Sequence, residues 1–141
     1  MHDRAIDLID AFRLHGMKIT PQRQMLCSIL SQTDDHPTVD AIYARAVKHM
    51  PTISLKTVYT TLGELTDFGR IRLISLGTGS VRVCRNLSLH AHLVCKSCGR
   101  IDDYPLTYGW DQAADRVRDS GFDVEEREVI YRGTCSVCQA P

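Results

Sequence analysis

Two cysteine pairs with the same spacing constrain this chain more than any other feature of its sequence. Cys95 and Cys98 form the first Cys-x-x-Cys pair, and Cys135 and Cys138 form the second. Four thiolates in two such pairs are typical ligands of a closed tetrahedral zinc site. The residues between the pairs must return the chain to its starting point, so the sequence predicts a small domain held together by a structural Zn²⁺ ion.

Two disulfides are the alternative to zinc. The first residues carry acids where a signal peptide would carry bases and an apolar stretch, and no apolar run approaches the roughly 20 residues of a membrane-spanning helix. We therefore expect a cytoplasmic protein with no membrane partner, in which thiols stay reduced and bind metal. Cys27 has no partner at a ligand spacing, and we expect it to be a buried structural thiol.

A second group of metal-binding residues surrounds the first cysteine pair. His90 and His92 point to one face if their segment is a strand, because side chains alternate along strands. Cys84 precedes them and Asp103 follows the pair, while His36 lies in a predicted turn of the first half. Thiolate with imidazoles favours zinc, whereas imidazoles with a carboxylate favour iron or manganese. The mixed set is typical of a site whose occupancy varies, and the identity of its metal stays open.

Apolar residues at helical spacing predict four short helices in the first half of the chain. Thr20, Thr38 and Ser54 are suited to cap the starts of the last three, and Gly69 to end the fourth. After that glycine the apolar period changes to that of strands, and the Gly-Thr-Gly segment at 77–79 predicts a β-hairpin. Helices with short turns followed by a two-stranded wing predict a winged helix-turn-helix.

The fourth predicted helix is the candidate for DNA recognition. Its outward face presents hydroxyls, an aromatic ring and one base, which can contact phosphates, base edges and thymine methyls. An ordinary solvated helix face is the alternative, but a basic wing follows the helix, and bases outnumber acids before residue 86. We therefore expect double-stranded DNA as a partner. The expected DNA-contacting residues are Ser54, Lys56, Thr57, Tyr59, Thr60, Arg70 and Arg72.

The second half predicts a small α/β unit. Strand candidates at 91–94 and 100–104 flank the first cysteine pair, a helix starts at Trp110 and ends at Gly121, and a long strand runs from Phe122 to Arg132. So small a unit gains stability from a structural metal and from dimerisation. The predicted fold class is therefore α+β, with an N-terminal winged helix-turn-helix domain followed by a small α/β dimerisation domain with a structural zinc.

An enzyme is the competing class of function. A Cys/His/His zinc site with an open position could activate water. However, the sequence has no H-E-x-x-H or H-x-E motif and no glycine-rich phosphate loop, and neither cysteine pair follows a βαβ pattern. We expect no catalytic residues and no small-molecule substrate.

The sequence resembles the ferric uptake regulator family of bacterial metal-dependent repressors. The resemblance covers nearly the whole chain and rests on MKITPQR at 17–23, HPTVDAIY at 36–43, S-x-x-T-V-Y at 54–59, HAHLVCKSCG at 90–99 and IYRGTCSVC at 130–138. It implies a winged-helix DNA-binding domain at 1–84, a hinge at 85–89 and a dimerisation and metal-binding domain at 90–141. It also implies a homodimer that represses from palindromic operators.

The resemblance further implies a structural zinc in the four cysteines and a regulatory metal at the hinge. The regulatory ligands it implies are His36, Cys84, His90, His92 and Asp103. A second, interleaved site of the family would use donors beside the two histidines. Here the residues at 89 and 91 are leucine and alanine, which do not bind metals, so we expect one regulatory site per protomer.

The implied regulatory site is a hybrid. Cys84 stands where the iron and peroxide sensors of the family carry a carboxylate, and in this it looks like the zinc-sensing branch. That branch commonly lacks the histidine kept here as His36, and some of its members use an aspartate where this chain has Arg72. We expect a zinc-responsive repressor. The alternative is an iron- or manganese-dependent regulator that responds to peroxide, or an iron-responsive one, since a thiolate ligand is also oxidisable.

Overall fold

The structure is a computed structural model that describes residues 4–33, 36–77, 79–106 and 110–140. The chain divides into two units, Met1–Leu87 and Ser88–Pro141. In the first unit the elements are helices α1 (Arg4–Leu14), α2 (Pro21–Ser31), α3 (Val39–His49) and α4 (Leu55–Asp67) and strands β1 (Arg72–Ser75) and β2 (Val81–Cys84). No described helix is long and apolar enough to cross a membrane.

Side-chain caps begin three of the four helices where the sequence predicted them. The hydroxyl oxygens of Thr20, Thr38 and Ser54 each accept a hydrogen bond from the backbone N–H three residues later. Gly69, with a φ of 70°, follows Phe68, the C-terminal cap of α4, and allows the chain to leave the helix. These caps set the starting points of the helices, and with them which side chains face the core.

The core of the first unit lies between its helices. The largest side chains that are fully buried there include Phe12 of α1, Leu30 of α2, Ile42 of α3 and Leu62 of α4. Removing each such side chain from water contributes about 1.5–3 kcal/mol. The buried residues of α4 lie on the side that faces this core, and the opposite face of the helix is exposed.

The wing is an antiparallel hairpin in which Arg72 of β1 lies opposite Cys84 of β2. The turn before α3 runs along the other side of β2, because Thr38 bridges Arg82 and the N–H of Val83 donates to the carbonyl oxygen of Pro37 at 2.9 Å. Four helices with this hairpin form the predicted winged helix-turn-helix.

The second unit is a three-stranded sheet with two helices. Its elements are β3 (His90–Cys95), β4 (Ile101–Pro105), α5 (Trp110–Asp119), β5 (Ile130–Gly133) and α6 (Ser136–Gln139). The strand order is β4-β3-β5, with β4 antiparallel and β5 parallel to the central strand. The α+β class predicted from the sequence is confirmed.

The predicted strand from Phe122 to Arg132 is wrong over most of its length. Only Ile130–Gly133 forms a strand, and residues 122–129 have no regular secondary structure. Within the described chain the segment before β5 has a single ladder contact, from the N–H of His92 to the carbonyl oxygen of Val129 at 3.0 Å. Its acidic side chains and the 64% exposed Phe122 bury too little apolar surface to order a longer edge strand. Helix α6 was not predicted, because four residues show no helical period.

Candidate metal centres

The four cysteines of the two pairs converge in the second unit. Their four Sγ atoms all lie within 4.8 Å of one another, and Cys98 Sγ lies 3.8 Å from Cys135 Sγ. A tetrahedral zinc with bonds of about 2.3 Å places its sulfur atoms about 3.8 Å apart. The donors that the sequence predicted for a structural zinc therefore fit that ion.

The parallel pairing of β5 with β3 brings the second cysteine pair back to the first. Gly133 lies opposite Cys95, and the N–H of Lys96 donates to the Gly133 carbonyl oxygen at 2.7 Å. Gly99, with a φ of 77°, turns the chain directly after the first pair in a conformation that side chains rarely adopt. The two knuckles are thus fixed by backbone geometry.

Hydrogen bonds give the thiols of this cluster different pKa values. The N–H of Cys135 donates to Cys95 Sγ at 3.3 Å, and this bond, followed by one from the backbone of Cys98, lowers the pKa of Cys95 from 9.0 to about 6. Hydrogen bonds with the side chains of Cys135 and Cys98 raise the pKa of Cys138 to about 12. The cluster therefore holds a thiolate at neutral pH, which is the form that binds metal.

A second cluster in the second unit consists of His90, His92 and Asp103. His90 and His92 project from the same face of β3, and Asp103 lies opposite His92 in the β3–β4 ladder. The Nε2 atom of His90 is 3.1 Å from Nε2 of His92 and 3.3 Å from Oδ1 of Asp103, and Nε2 of His92 is 3.6 Å from the same Oδ1. Ring nitrogens and a carboxylate oxygen this close require a proton or a cation between them. The three residues therefore suit a divalent metal.

The orientation of His90 is set by its backbone neighbour. Nδ1 of His90 donates to the carbonyl oxygen of Ser88 at 2.6 Å, which leaves the lone pair on Nε2. Both histidine rings are more than nine-tenths buried. Metal-binding histidines commonly donate their second ring N–H in this way, which fixes the ring and its tautomer.

The first unit contributes two donors, His36 and Cys84. His36 lies in the turn before α3, Cys84 is the last residue of β2, and one ring nitrogen of His36 lies within 4.8 Å of the Cys84 sulfur. Both side chains are buried. A thiolate beside an imidazole suits zinc. The pair offers two donors, fewer than the four of a tetrahedral site.

The outward face of α4 is open in the first unit. Its Lys56, Tyr59 and Thr60 are exposed, with Tyr59 at 41%. Ser54 and Thr57 are partly engaged at the start of the helix, because Ser54 Oγ accepts from the Thr57 N–H at 3.1 Å. Arg70 and Arg72 on the wing side are half-buried.

Three further arginines have roles that sequence reasoning missed. Arg82 donates to the carbonyl oxygen of His36 at 2.8 Å, and Arg85 donates to the carbonyl oxygen of Leu30 at the end of α2. Both arginines, at and just after β2, therefore bind backbone carbonyl groups of the first unit. Arg23 of α2 binds both carboxylate oxygens of Glu64 in α4, at 3.2 and 3.3 Å. Contacts between residues 41 or more positions apart leave no signal in a single sequence.

Comparisons with known proteins point to one family. The model of the ferric uptake regulator family matches residues 14–132. The peroxide-responsive repressor PerR of Staphylococcus epidermidis is 35% identical over 133 residues, which are 93% of this chain and 87% of that protein. The solved structure of PerR from Streptococcus pyogenes is 28% identical with a TM-score of 0.55, and covers 97% of this chain and 94% of that one. The Helicobacter pylori ferric uptake regulator Fur has a TM-score of 0.79 at 18% identity, covering 100% and 99%, which shows a shared fold.

Proposed function

Because the chain belongs to the ferric uptake regulator family of metal-responsive regulators, we propose that it is a transcriptional repressor that binds palindromic operators as a homodimer when a regulatory metal is present. Its winged helix-turn-helix with an exposed α4 face supplies the DNA-binding element. Its second unit supplies dimerisation and a structural zinc bound by Cys95, Cys98, Cys135 and Cys138.

The proposed regulatory site combines the partial donor sets of the two units. His36 and Cys84 come from the first unit, and His90, His92 and Asp103 come from the second. Only residues 85–89 separate Cys84 from His90, so this short segment is the proposed hinge between domains 1–84 and 90–141. An ion held by both sets restricts the hinge.

Zinc is the proposed regulatory metal. The observation that carries this choice is the proximity of the Cys84 sulfur to a ring nitrogen of His36, within 4.8 Å in the first unit. A thiolate with imidazoles forms a stable tetrahedral zinc site, whereas a carboxylate at position 84 would favour iron or manganese. Zinc bound there supplies positive charge and fixed geometry.

A peroxide-responsive regulator that uses iron or manganese is the second candidate. Two observations favour it: His90, His92 and Asp103 form a set of two imidazoles and one carboxylate with donor atoms 3.1 to 3.6 Å apart, and the 35% identical relative is a peroxide-responsive repressor. Two histidines with one carboxylate are typical ligands of non-haem iron.

Metal binding controls DNA binding in either case through the separation of two recognition helices. In a homodimer the two α4 helices must enter major grooves about one helical turn apart. A hinge fixed by its ligands holds one separation, and a free hinge samples many. Coupling of about 1–3 kcal/mol between metal and DNA is enough to switch occupancy. The proposed contacts come from Ser54, Lys56, Thr57, Tyr59, Thr60, Arg70 and Arg72.

The test begins with an unknown operator. Under anaerobic conditions, duplexes are selected from a random pool by the full chain in the presence of zinc, iron(II) or manganese(II), and binding to the enriched duplex is then measured with each metal and with chelator. Binding restored by trace zinc and insensitive to peroxide supports the zinc-responsive function. Binding restored by iron or manganese and lost with peroxide contradicts it and supports the second candidate.

A matched variant sharpens the assignment. Cys84→Asp replaces the thiolate by the carboxylate that favours iron and manganese. If zinc is the natural metal, the variant needs far more zinc for the same DNA occupancy and gains a response to manganese. A variant with an unchanged metal preference would show that Cys84 does not select the metal.

A further inference from the structure

Three contacts between described residues help to hold the turn that carries His36 against β2. Two of them use the backbone: the antiparallel bridge between Thr38 and Arg82, and the 2.9 Å hydrogen bond from Val83 to Pro37. Such backbone contacts do not depend on which side chains the residues carry. The third needs a particular side chain, because Arg82 Nη1 donates to the His36 carbonyl oxygen at 2.8 Å.

This third contact acts at the residue that carries the candidate ligand ring. A hydrogen bond to the His36 carbonyl oxygen holds the peptide plane that follows this residue, and the backbone angles at His36 decide where its Cβ and ring point. Arg82 and Cys84 are two positions apart in one strand, so they share a face of β2. One of them binds the backbone of His36, and the other places its sulfur near the ring.

Burial of the Arg82 guanidinium costs free energy of folding. Its side chain is part-buried, and its Nε is buried with no acceptor among the described residues. Removing a guanidinium from water while leaving one N–H unsatisfied costs free energy. A methionine, which is shorter, would fill the part of this space nearest the backbone without that cost.

We propose that Arg82 is a positioning residue for the regulatory metal, which aligns the His36 imidazole with Cys84 by holding the His36 carbonyl. This rests on the proposed function, in which His36 and Cys84 bind that metal. The guanidinium belongs to the metal site and does not serve operator phosphates, although it lies in the basic wing.

Cobalt(II) tests this role in the full chain, loaded beforehand with one zinc per protomer. Arg82→Met is expected to lower the affinity for cobalt about tenfold, the low end of the effect of removing residues that orient metal ligands. It also weakens the d–d absorption, because more than one water enters where His36 is lost and the coordination number rises. The charge-transfer band of the Cys84 thiolate stays. Arg82→Lys keeps a donor and restores part of the affinity.

The double variant separates positioning from general damage. In a His36→Ala background, Arg82→Met is expected to change neither affinity nor spectrum. Arg45→Met is the matched control, because it removes an arginine of the same unit whose hydrogen bond, to Gln32 at 3.3 Å, is exposed. We expect wild-type cobalt binding from it.

Three results overturn the proposal. The first is wild-type affinity and spectrum in Arg82→Met, and the second is an equal loss in the His36→Ala background. The third is a loss of the thiolate band together with the d–d intensity, which indicates general disruption. If His36→Ala itself leaves cobalt binding unchanged, the proposed regulatory site fails as well, so the two failures are distinguishable.

Discussion

The Nε2 atoms of His90 and His92 lie 3.1 Å apart on one face of β3, with Oδ1 of Asp103 3.3 and 3.6 Å away. The three residues come from two neighbouring strands, so their spacing is set by the β3–β4 register. A metal site built on a sheet is available before the metal binds, which lowers the entropy cost of binding.

Loss of one of these imidazoles should separate regulation from folding. We expect His90→Ala to abolish the metal-dependent gain in DNA affinity, commonly about 5- to 150-fold in allosteric systems. Fluorescence anisotropy with and without metal measures this gain, while gel filtration and zinc content should show an intact dimer with its structural zinc. His49→Ala, which changes an exposed histidine at the end of α3, is the control. Metal-dependent binding by His90→Ala would exclude this residue from the regulatory site.

Loss of a cysteine in the other cluster should have the opposite consequence. The binding free energy of a structural zinc is about 10–16 kcal/mol, which is as large as the whole stability of a domain at about 5–15 kcal/mol. We therefore expect Cys95→Ala to lose one zinc per chain and to unfold or dissociate, as seen by metal analysis, circular dichroism and gel filtration. Cys27→Ala should keep its zinc and lose only about 1 kcal/mol. A folded dimer of Cys95→Ala would argue against a structural role.

Proton release on zinc binding should depend on pH in a defined window. Because the pKa of Cys95 is lowered to about 6 by hydrogen bonds from Cys135 and Cys98, this thiol is already ionised at pH 7 and releases no proton when zinc binds. Below about pH 6 it must lose one. Calorimetry of the metal-free His90→Ala variant, which lacks the regulatory site, should show release rising by about one proton between pH 7 and 5 in samples that circular dichroism shows to be folded, measured in buffers of different ionisation enthalpy. Constant release over this range would place the thiolate elsewhere.

The buried thiol of Cys27 should make the free energy of unfolding depend on pH at high pH. Burial raises the pKa of Cys27 from 9.0 to about 11. The unfolded chain therefore loses this proton first, so the contribution of Cys27 to stability is complete below pH 9 and is lost as the pH rises through about 11. Urea unfolding of the wild type and Cys27→Ala should show a stability difference that narrows between these values. The thiol should also resist alkylation at pH 8 in the folded protein.

Sequence patterns predicted those parts of the fold that depend on local chemistry. The caps at Thr20, Thr38 and Ser54 lie where expected, because each acts within three residues. The prediction of a strand from Phe122 was wrong, because a strand needs a neighbouring strand to pair with and local propensity does not show whether one is present. The roles of Arg23 and Arg82 were missed for the same reason, as their partners Glu64 and His36 are distant in the chain.

The candidate sites show the same division. Two pairs at an identical short spacing predicted the cluster of four cysteines, and alternation along a strand predicted that His90 and His92 share a face. The order of protonation among the cysteines depends on hydrogen bonds such as that from Cys135 to Cys95 Sγ, which forms only once β5 has paired with β3. No reading of the residues between them predicts this bond.

The parallel pairing of β3 with β5 also has a kinetic consequence. The strands are joined through residues 96–129, so the pairing closes a long loop whose entropy must be lost before the contact stabilises anything. A zinc ion already bound by Cys95 and Cys98 would capture the second cysteine pair when it comes close. This would shorten the search of β5 for its partner strand β3. A cell short of zinc would then accumulate chains with an unpaired edge on β3, which are substrates for proteases and seeds for aggregation.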